Sequence, residues 1–215
     1  MNNGITELVF ILDRSGSMSG LENDTIGGFN SLIKKQRLLD AKCYVTTVLF
    51  DNYCQMIHDR LELGLIPDMT GNEYFVRGST ALLDCIGWAI SHIDSIHKYL
   101  RREDVPEHTM FVITTDGMEN SSTLYTRETI KQMIEDRTQR LGWEFLFIGA
   151  NIDAVGTATS YGIKADRAVT YCPDPIGTGV VYNAVSGAVR DMRNAMPYST
   201  CWRDDIEDDL KKRKP

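Results

Sequence analysis

Five consecutive apolar residues, Leu8-Val9-Phe10-Ile11-Leu12, run straight into Asp13-Arg14-Ser15-Gly16-Ser17. No other stretch limits the fold as much. An apolar run this short, closed by a polar, Gly-containing loop, reads as a strand buried on both faces, and such strands belong in the interior of a mostly parallel sheet. A second run of the same kind, Met110-Phe111-Val112-Ile113, ends in Thr114-Thr115-Asp116-Gly117. Around these two, strand-like and helix-like stretches alternate along nearly the whole chain, as βαβ units require. Strands are expected at Thr6–Leu12, Cys43–Phe50, Tyr53–Asp59, Thr109–Thr115, Glu144–Ile148 and Arg167–Tyr171. Asp51-Asn52 forms a two-residue connection between the second and third, so those two should pair as a hairpin and bring in one antiparallel strand.

Helical periodicity covers Thr25–Leu39, Leu82–Leu100, Thr126–Leu141, Ala154–Tyr161 and Gly179–Ala195. In the second of these, Leu83, Ile86, Ile90, Ile93 and Leu100 form one apolar stripe that can pack on a sheet. Each Gly inside a helix costs about 1 kcal/mol relative to Ala, so Gly27-Gly28 is read as marking a late helix start rather than a close backbone approach. The expected fold is α/β: a doubly wound, mostly parallel six-stranded sheet with one antiparallel edge strand and helices on both faces. One domain should span residues 1–200, leaving 201–215 as a charged tail or short helix.

A chain of 215 residues with 42% hydrophobic content can bury one sizeable core. Its net charge of −7 argues against a nucleic-acid or anionic-membrane surface, because phosphate binding draws on clustered Lys and Arg. The five cysteines (Cys43, Cys54, Cys85, Cys172, Cys201) are odd in number and lack a C-x-x-C pair. Reduced, mostly buried thiols are therefore expected rather than a zinc site or a disulfide framework. No basic region followed by an apolar run opens the chain, and no apolar stretch approaches the ~20 residues of a membrane span. A soluble, cytoplasmic protein is the expectation. Toward the end, Glu207 and Asp208 stand four residues before Lys211 and Lys212, the order that supports a solvated terminal helix.

Alternation in an extended segment would put Asp13, Ser15 and Ser17 on one face, where a carboxylate and two hydroxyls suit Mg²⁺. Ligands of open α/β sheets gather outside the carboxyl ends of strands, so Asp116 is the natural second carboxylate. The loop Arg77-Gly78-Ser79-Thr80 enters the long helix and offers the Thr80 hydroxyl. Ser79 beside it and Thr70 are alternatives for that role. Glu119 and Asn120 lie next along from Asp116, either as a rim that shapes partner choice or as a solvated loop.

Enzymatic readings fare less well. A Mg²⁺-dependent phosphatase of the haloacid dehalogenase type also begins with an apolar strand ending in Asp, but its second Asp falls where this chain has Ser15. No His lies in the three loops to carry a proton, and His92 and His97 read as solvated or packed. No G-x-S-x-G surrounds Ser15 or Ser17, and no P-loop pattern exists. Gly177-Thr178-Gly179 reads as a helix-entry turn, since Tyr182 stands where a dinucleotide fingerprint needs its third Gly. Trp88, Trp143 and Trp202 are expected in or near the core, with Tyr161, Tyr171 and Tyr182 open between core and surface.

Taken in order, the three loops resemble the von Willebrand factor type A (vWA) domain, the Rossmann-like family that includes integrin I domains. Its metal-ion-dependent adhesion site has D-x-S-x-S after the first strand, a Thr in a later loop and an Asp after the fourth strand. Asp13, Ser15, Ser17, Thr80 and Asp116 match it one by one, and the resemblance runs from Ile5 to about Ala195. It implies that Ser15, Ser17 and Thr80 touch the cation directly, while Asp13 and Asp116 do so directly or through waters. The implied ion is Mg²⁺, with Mn²⁺ or Ca²⁺ as substitutes, and no catalytic residues are implied. The implied function is divalent-metal-dependent protein–protein interaction, with an Asp or Glu of a partner protein completing the metal's shell. Bacterial intracellular members work beside AAA+ ATPases or chelatases, so a partner of that type, not nucleic acid or membrane, is expected. The family also couples metal engagement to a shift of the last helix, here Gly179–Ala195. A Mg²⁺-dependent phosphatase or phosphotransferase on a Rossmann-like fold is the alternative.

Overall fold

The computed structural model describes residues 4–196 and 200–213. Among the described residues there are six strands: β1 (Thr6–Asp13), β2 (Cys43–Phe50), β3 (Cys54–Glu62), β4 (His108–Thr115), β5 (Glu144–Ala150) and β6 (Ala168–Tyr171). Six α-helices accompany them: α1 (Glu22–Gln36), α2 (Leu82–Tyr99), α3 (Arg127–Leu141), α4 (Ala154–Ser160), α5 (Pro175–Arg193) and α6 (Asp204–Arg213). The sheet order is β3-β2-β1-β4-β5-β6. Every neighbouring pair is parallel except β2 with β3, so the one antiparallel strand lies at the edge, as the Asp51-Asn52 connection predicted.

The unbroken apolar run of β1 is explained by two cores. Leu8, Phe10 and Leu12 point to the face covered by α1 and α5, where they meet Phe29, Leu32, Val185 and Val189. Val9 and Ile11 point to the opposite face, against Ile86 and Ile90 of α2 and Ile130 of α3. A central parallel strand has no solvated side, so neither set can be polar.

α1 begins at Glu22, which places Gly27-Gly28 in its interior and overturns the expected late start. The reason is a close approach to α5: a Cβ on Gly28 would collide with the ring of Tyr182, itself only 7% exposed. Gly28→Ala should therefore destabilise the fold by about 1–3 kcal/mol through overpacking, despite a helix-propensity gain of about 1 kcal/mol. A lower urea midpoint at unchanged slope would show this; a raised midpoint would mean that Tyr182 moves aside freely.

At its other end α5 is bolted to α1. The buried Arg193 donates to the carbonyls of Gln36 (2.6 Å), at the end of α1, and Ala41 (2.6 Å), in the segment that follows it. The terminal helix is only partly solvated. Ile206 and the preceding Trp202 join the core, and Trp202 donates to the Asp166 carbonyl at 2.9 Å. Trp143 is also buried, but Trp88 is 38% exposed and stacks on His92, contrary to expectation. His92 pairs with Asp59 at 2.8 Å, and His97 packs edge-on against Trp143. Tyr161, Tyr171 and Tyr182 are all buried. Of the cysteines, Cys43 and Cys85 are fully buried, Cys54 and Cys172 are half-buried and Cys201 is exposed, so they are less buried than expected. Gly177 lies in the first turn of α5 and donates to the capping Asp174 at 2.8 Å, so that segment is a helix entry as expected. Among the described residues, no helix is long and apolar enough to cross a membrane.

Candidate functional site

The carboxyl ends of β1 and β4 are parallel neighbours, paired through Leu12 and Thr114, so Asp13 and Asp116 leave the sheet side by side. The chain after Asp13 does not stay extended. Gly16–Met18 form a 3-10 turn, and it is this turn rather than strand alternation that gathers the serines. The Oγ atoms of Ser15 and Ser17 are 3.1 Å apart, and the Thr80 hydroxyl donates to Ser15 Oγ at 3.1 Å. Gly117 closes the other side, where a Cβ would stand 3.1 Å from Ser17 Oγ and 3.4 Å from Thr80 Oγ1. All five residues expected at the site are thus brought together. Thr70 is not among them; its hydroxyl donates to Glu73 at 2.7 Å in an exposed turn. Ser79 is half-buried and directs its amide to Asn52 Oδ1 at 2.8 Å.

Several residues that the motif does not contain hold the loops in register. Thr115 donates its hydroxyl to Asp13 Oδ2 at 2.6 Å, while the Ser15 amide donates to Oδ1 at 2.7 Å, so both carboxylate oxygens are fixed. The buried Tyr74 donates to the Asp13 carbonyl. Asn120 clamps Thr80 from both sides: its Oδ1 accepts from the Thr80 amide at 2.9 Å, and its own amide donates to the Thr80 carbonyl at 3.1 Å. Glu119 accepts from the amides of Leu83, Ser121 and Ser122, tying the loop after β4 to the start of α2. Asp84 returns the tie by accepting from the amides of Thr123, Leu124 and Tyr125. The positions expected either as a rim or as a solvated loop are therefore braces. Their signal in the sequence was the density of Asp, Glu, Asn and Ser near a helix start, where such side chains satisfy open backbone amides.

The third loop is anchored from beneath. Gly78 adopts φ +70°, and its carbonyl accepts from the Gly16 amide at 3.1 Å between the two serines. A side chain there would be strained, and its Cβ would also collide with Asn52 Oδ1. Arg14, fully buried, donates Nε to Asp51 Oδ2 at 2.9 Å, and Arg77 donates Nε to the same oxygen at 2.7 Å. Asp51 in turn offers its carbonyl to the Ala81 amide at 2.9 Å. Burial would raise the Asp51 carboxyl, but the bonds from Arg77 and the Tyr53 amide and the charge of Arg14 outweigh it and hold it below the usual carboxylate value.

Asp13 and Asp116 behave oppositely. Burial pushes Asp13 up to about 6, against the lowering effect of its bonds to Ser15 and Thr115, with the neighbouring Asp116 adding to the rise. Asp116 is also raised by burial, in spite of its hydrogen bond with Ser17. Its Oδ1 is buried without a hydrogen-bond partner, an arrangement that costs free energy unless something supplies a positive charge or a proton. Among the described residues, no group of three or more His, Cys, Asp or Glu side chains is placed to hold a metal. The donor set is instead three clustered hydroxyls flanked by two carboxylates, an oxygen-only set that fits a hard divalent cation.

No family model matches the chain, and no curated protein matches it in sequence. Solved structures do share its fold. The vWF domain of the type V pili tip protein Mfa5 from Porphyromonas gingivalis superposes with a TM-score of 0.64 at 8% identity, covering 86% of this chain and 95% of that one. A von Willebrand factor type A protein from Catenulispora acidiphila matches with a TM-score of 0.55 at 14% identity, over 85% of this chain. Proximal thread matrix protein 1 from the mussel byssus, in a structure with a zinc-occupied metal-ion-dependent adhesion site, matches at 0.54 and 11% identity, over 86% of this chain. The chain spans only 42% and 46% of the latter two. The chain thus shares the fold of these structures, a Rossmann-like sheet with one antiparallel edge strand.

Proposed function

We propose that this protein is a divalent-metal-dependent protein-interaction module. In this reading Ser15, Ser17 and Thr80 hold Mg²⁺ through their hydroxyls, with Mn²⁺ or Ca²⁺ as substitutes, and Asp13 and Asp116 complete the protein's share directly or through water. The observation that carries it is the buried, unpartnered Oδ1 of Asp116 beside the linked hydroxyls of Ser15, Ser17 and Thr80. Bound there, the ion would supply a Lewis-acidic position for an oxygen of an Asp or Glu on a partner protein. The chain's own residues do the rest. Thr115 and the Ser15 amide keep the Asp13 carboxylate from rotating, and Asn120 holds Thr80 at the mouth of the site. Where the two carboxylates act through water, an inner shell of neutral hydroxyls leaves the cation strongly Lewis-acidic, which favours an anionic ligand over water. The order of motifs supports this reading, as does the shared fold of the zinc-occupied mussel protein.

At a hundredfold excess over its dissociation constant, Mg²⁺ or Mn²⁺ should stabilise the fold by about 2.7 kcal/mol. For a chain of this length that is an upward Tm shift of about 5–10 °C. Asp116→Ala should lose the shift. A wild-type protein unmoved by either cation would overturn the reading, and metal-dependent hydrolysis of p-nitrophenyl phosphate lost in Asp13→Ala would replace it with a phosphatase. Capture of partners with and without EDTA tests whether they are of the AAA+ or chelatase type that the resemblance implies.

A further inference from the structure

Arg77 stands at the edge of the candidate site, half-exposed and tied to Asp51. Its amide donates to the Arg14 carbonyl at 2.9 Å, next to Ser15, and the following Gly78 carbonyl receives the Gly16 amide between the site serines. Two guanidinium groups, from Arg14 and Arg77, share the single carboxylate of Asp51. Arg14 is fully buried; the Arg77 side chain is 47% exposed and engages Asp51 through Nε. Both guanidinium carbons lie close to the Phe75 ring, at 5.4 and 5.2 Å from its centroid. The nearby Glu73 carboxylate is turned away to the Thr70 hydroxyl and amide.

A long surface side chain normally loses rotamer freedom when it grips a ligand. Arg77 has already lost it, because Asp51 fixes one edge of its guanidinium and Phe75 supports it. Such pre-organised groups contribute more to affinity than mobile ones. The terminal amino groups of an Arg held by Nε remain a two-pronged donor that matches a carboxylate. We infer that Arg77 is a second ligand contact, and that the partner presents two carboxylates, one for the metal position and one for Arg77: an acidic peptide segment rather than an isolated Asp or Glu. This rests on the metal-dependent reading above and specifies its partner.

The test is an NMR titration of the Mg²⁺-loaded, full-length protein with acetylated, amidated Gly-Gly-Glu-Gly-Gly and with the variants that carry a second Glu at each other position. At least one diglutamyl peptide should bind about tenfold more tightly than the monoglutamyl one, as one added charge-assisted contact predicts. Arg77→Gln, which can still donate to Asp51, should remove that advantage while leaving monoglutamyl binding and the Mg²⁺-induced Tm shift in place. Arg77→Glu should make the diglutamyl peptides the weaker ligands. The inference is overturned if a second Glu adds nothing at any position, or if its advantage survives in Arg77→Gln. If protein that shows the Mg²⁺ shift binds none of the peptides, the acidic-ligand reading falls and this inference falls with it. A protein without the Mg²⁺ shift loses the metal site itself.

Discussion

Asp13→Asn is expected to make the metal-free protein more stable at about pH 7.5 and, at the same time, deaf to Mg²⁺. Asp13 is fully buried and its carboxyl is raised to about 6 from an ordinary value of 3.8. Between these values the folded state binds more protons than the unfolded chain, so stability falls as pH rises. The contribution is fully present below 3.8 and is lost by the time pH has passed about 6. The loss amounts to roughly 3 kcal/mol at 1.36 kcal/mol per unit. Asparagine removes the ionisation while keeping the contacts: its Oδ1 can accept from the Ser15 amide, and its Nδ2 can donate to Thr115 Oγ1, which already has the Gly117 carbonyl as an alternative acceptor at 3.1 Å. Urea unfolding should show the variant ahead at about pH 7.5 and level with wild type near pH 4, with no response to Mg²⁺ at either pH. A variant less stable at both values would mean that the carboxylate is already neutralised by its hydrogen bonds. In the wild type the same linkage makes the Mg²⁺ shift grow as pH rises through 6, since metal and proton compete for Asp13.

The second large effect lies beneath the site. Asp51→Ala removes the carboxylate shared by Arg14 and Arg77 and leaves Arg14, with no exposed surface, as an uncompensated buried charge. Breaking a buried pair from one side typically costs 3–5 kcal/mol, about a third or more of a small domain's stability. The Mg²⁺ response should suffer as well, because Asp51 also receives the Tyr53 amide and positions the chain that reaches Ala81, next to Thr80. The double variant Arg14→Leu/Asp51→Ala separates the causes. Removing the stranded charge should recover much of the urea midpoint, whereas the loss of loop anchoring should persist as a weakened Mg²⁺ shift. If the double variant is no more stable than Asp51→Ala, the cost came from packing and not from charge.

Much of this was legible in the chain because each piece had a local physical signature. The apolar runs Leu8–Leu12 and Met110–Ile113 needed two covered faces, and the two-residue link at Asp51-Asn52 needed a hairpin. The five candidate residues that come together were findable because each follows a strand or precedes a helix at the sheet's carboxyl edge. What escaped was tertiary. Nothing local distinguishes Gly28 as a contact for Tyr182 from a glycine that delays a helix, and the two lie in helices far apart in the chain. Asp13, Ser15 and Ser17 come together through a 3-10 turn and not through strand alternation, and a turn of this kind has no periodic signature. Asn120, Glu119 and Asp84 read as ordinary loop and helix-start residues because their bonds are to backbone amides in other loops. Arg14 and Asp51 were invisible as a pair, for a buried ion pair leaves no periodic trace. The bolt at Arg193 was equally silent, yet it bears on the resemblance: any axial shift of α5 must first release the Gln36 and Ala41 carbonyls.

The pairing of β1 with β4 carries one more consequence, in time rather than in space. Thr6 sits opposite His108, and the ladder runs on to Leu12 opposite Thr114, immediately below Asp13 and Asp116. Parallel pairings between segments so distant in the chain form slowly, because closing the intervening loop precedes any contact that rewards it. The two carboxylates cannot meet before that closure is complete. In refolding experiments Mg²⁺ should therefore leave the folding rate nearly unchanged and slow unfolding instead, as a ligand does when its site is absent from the transition state.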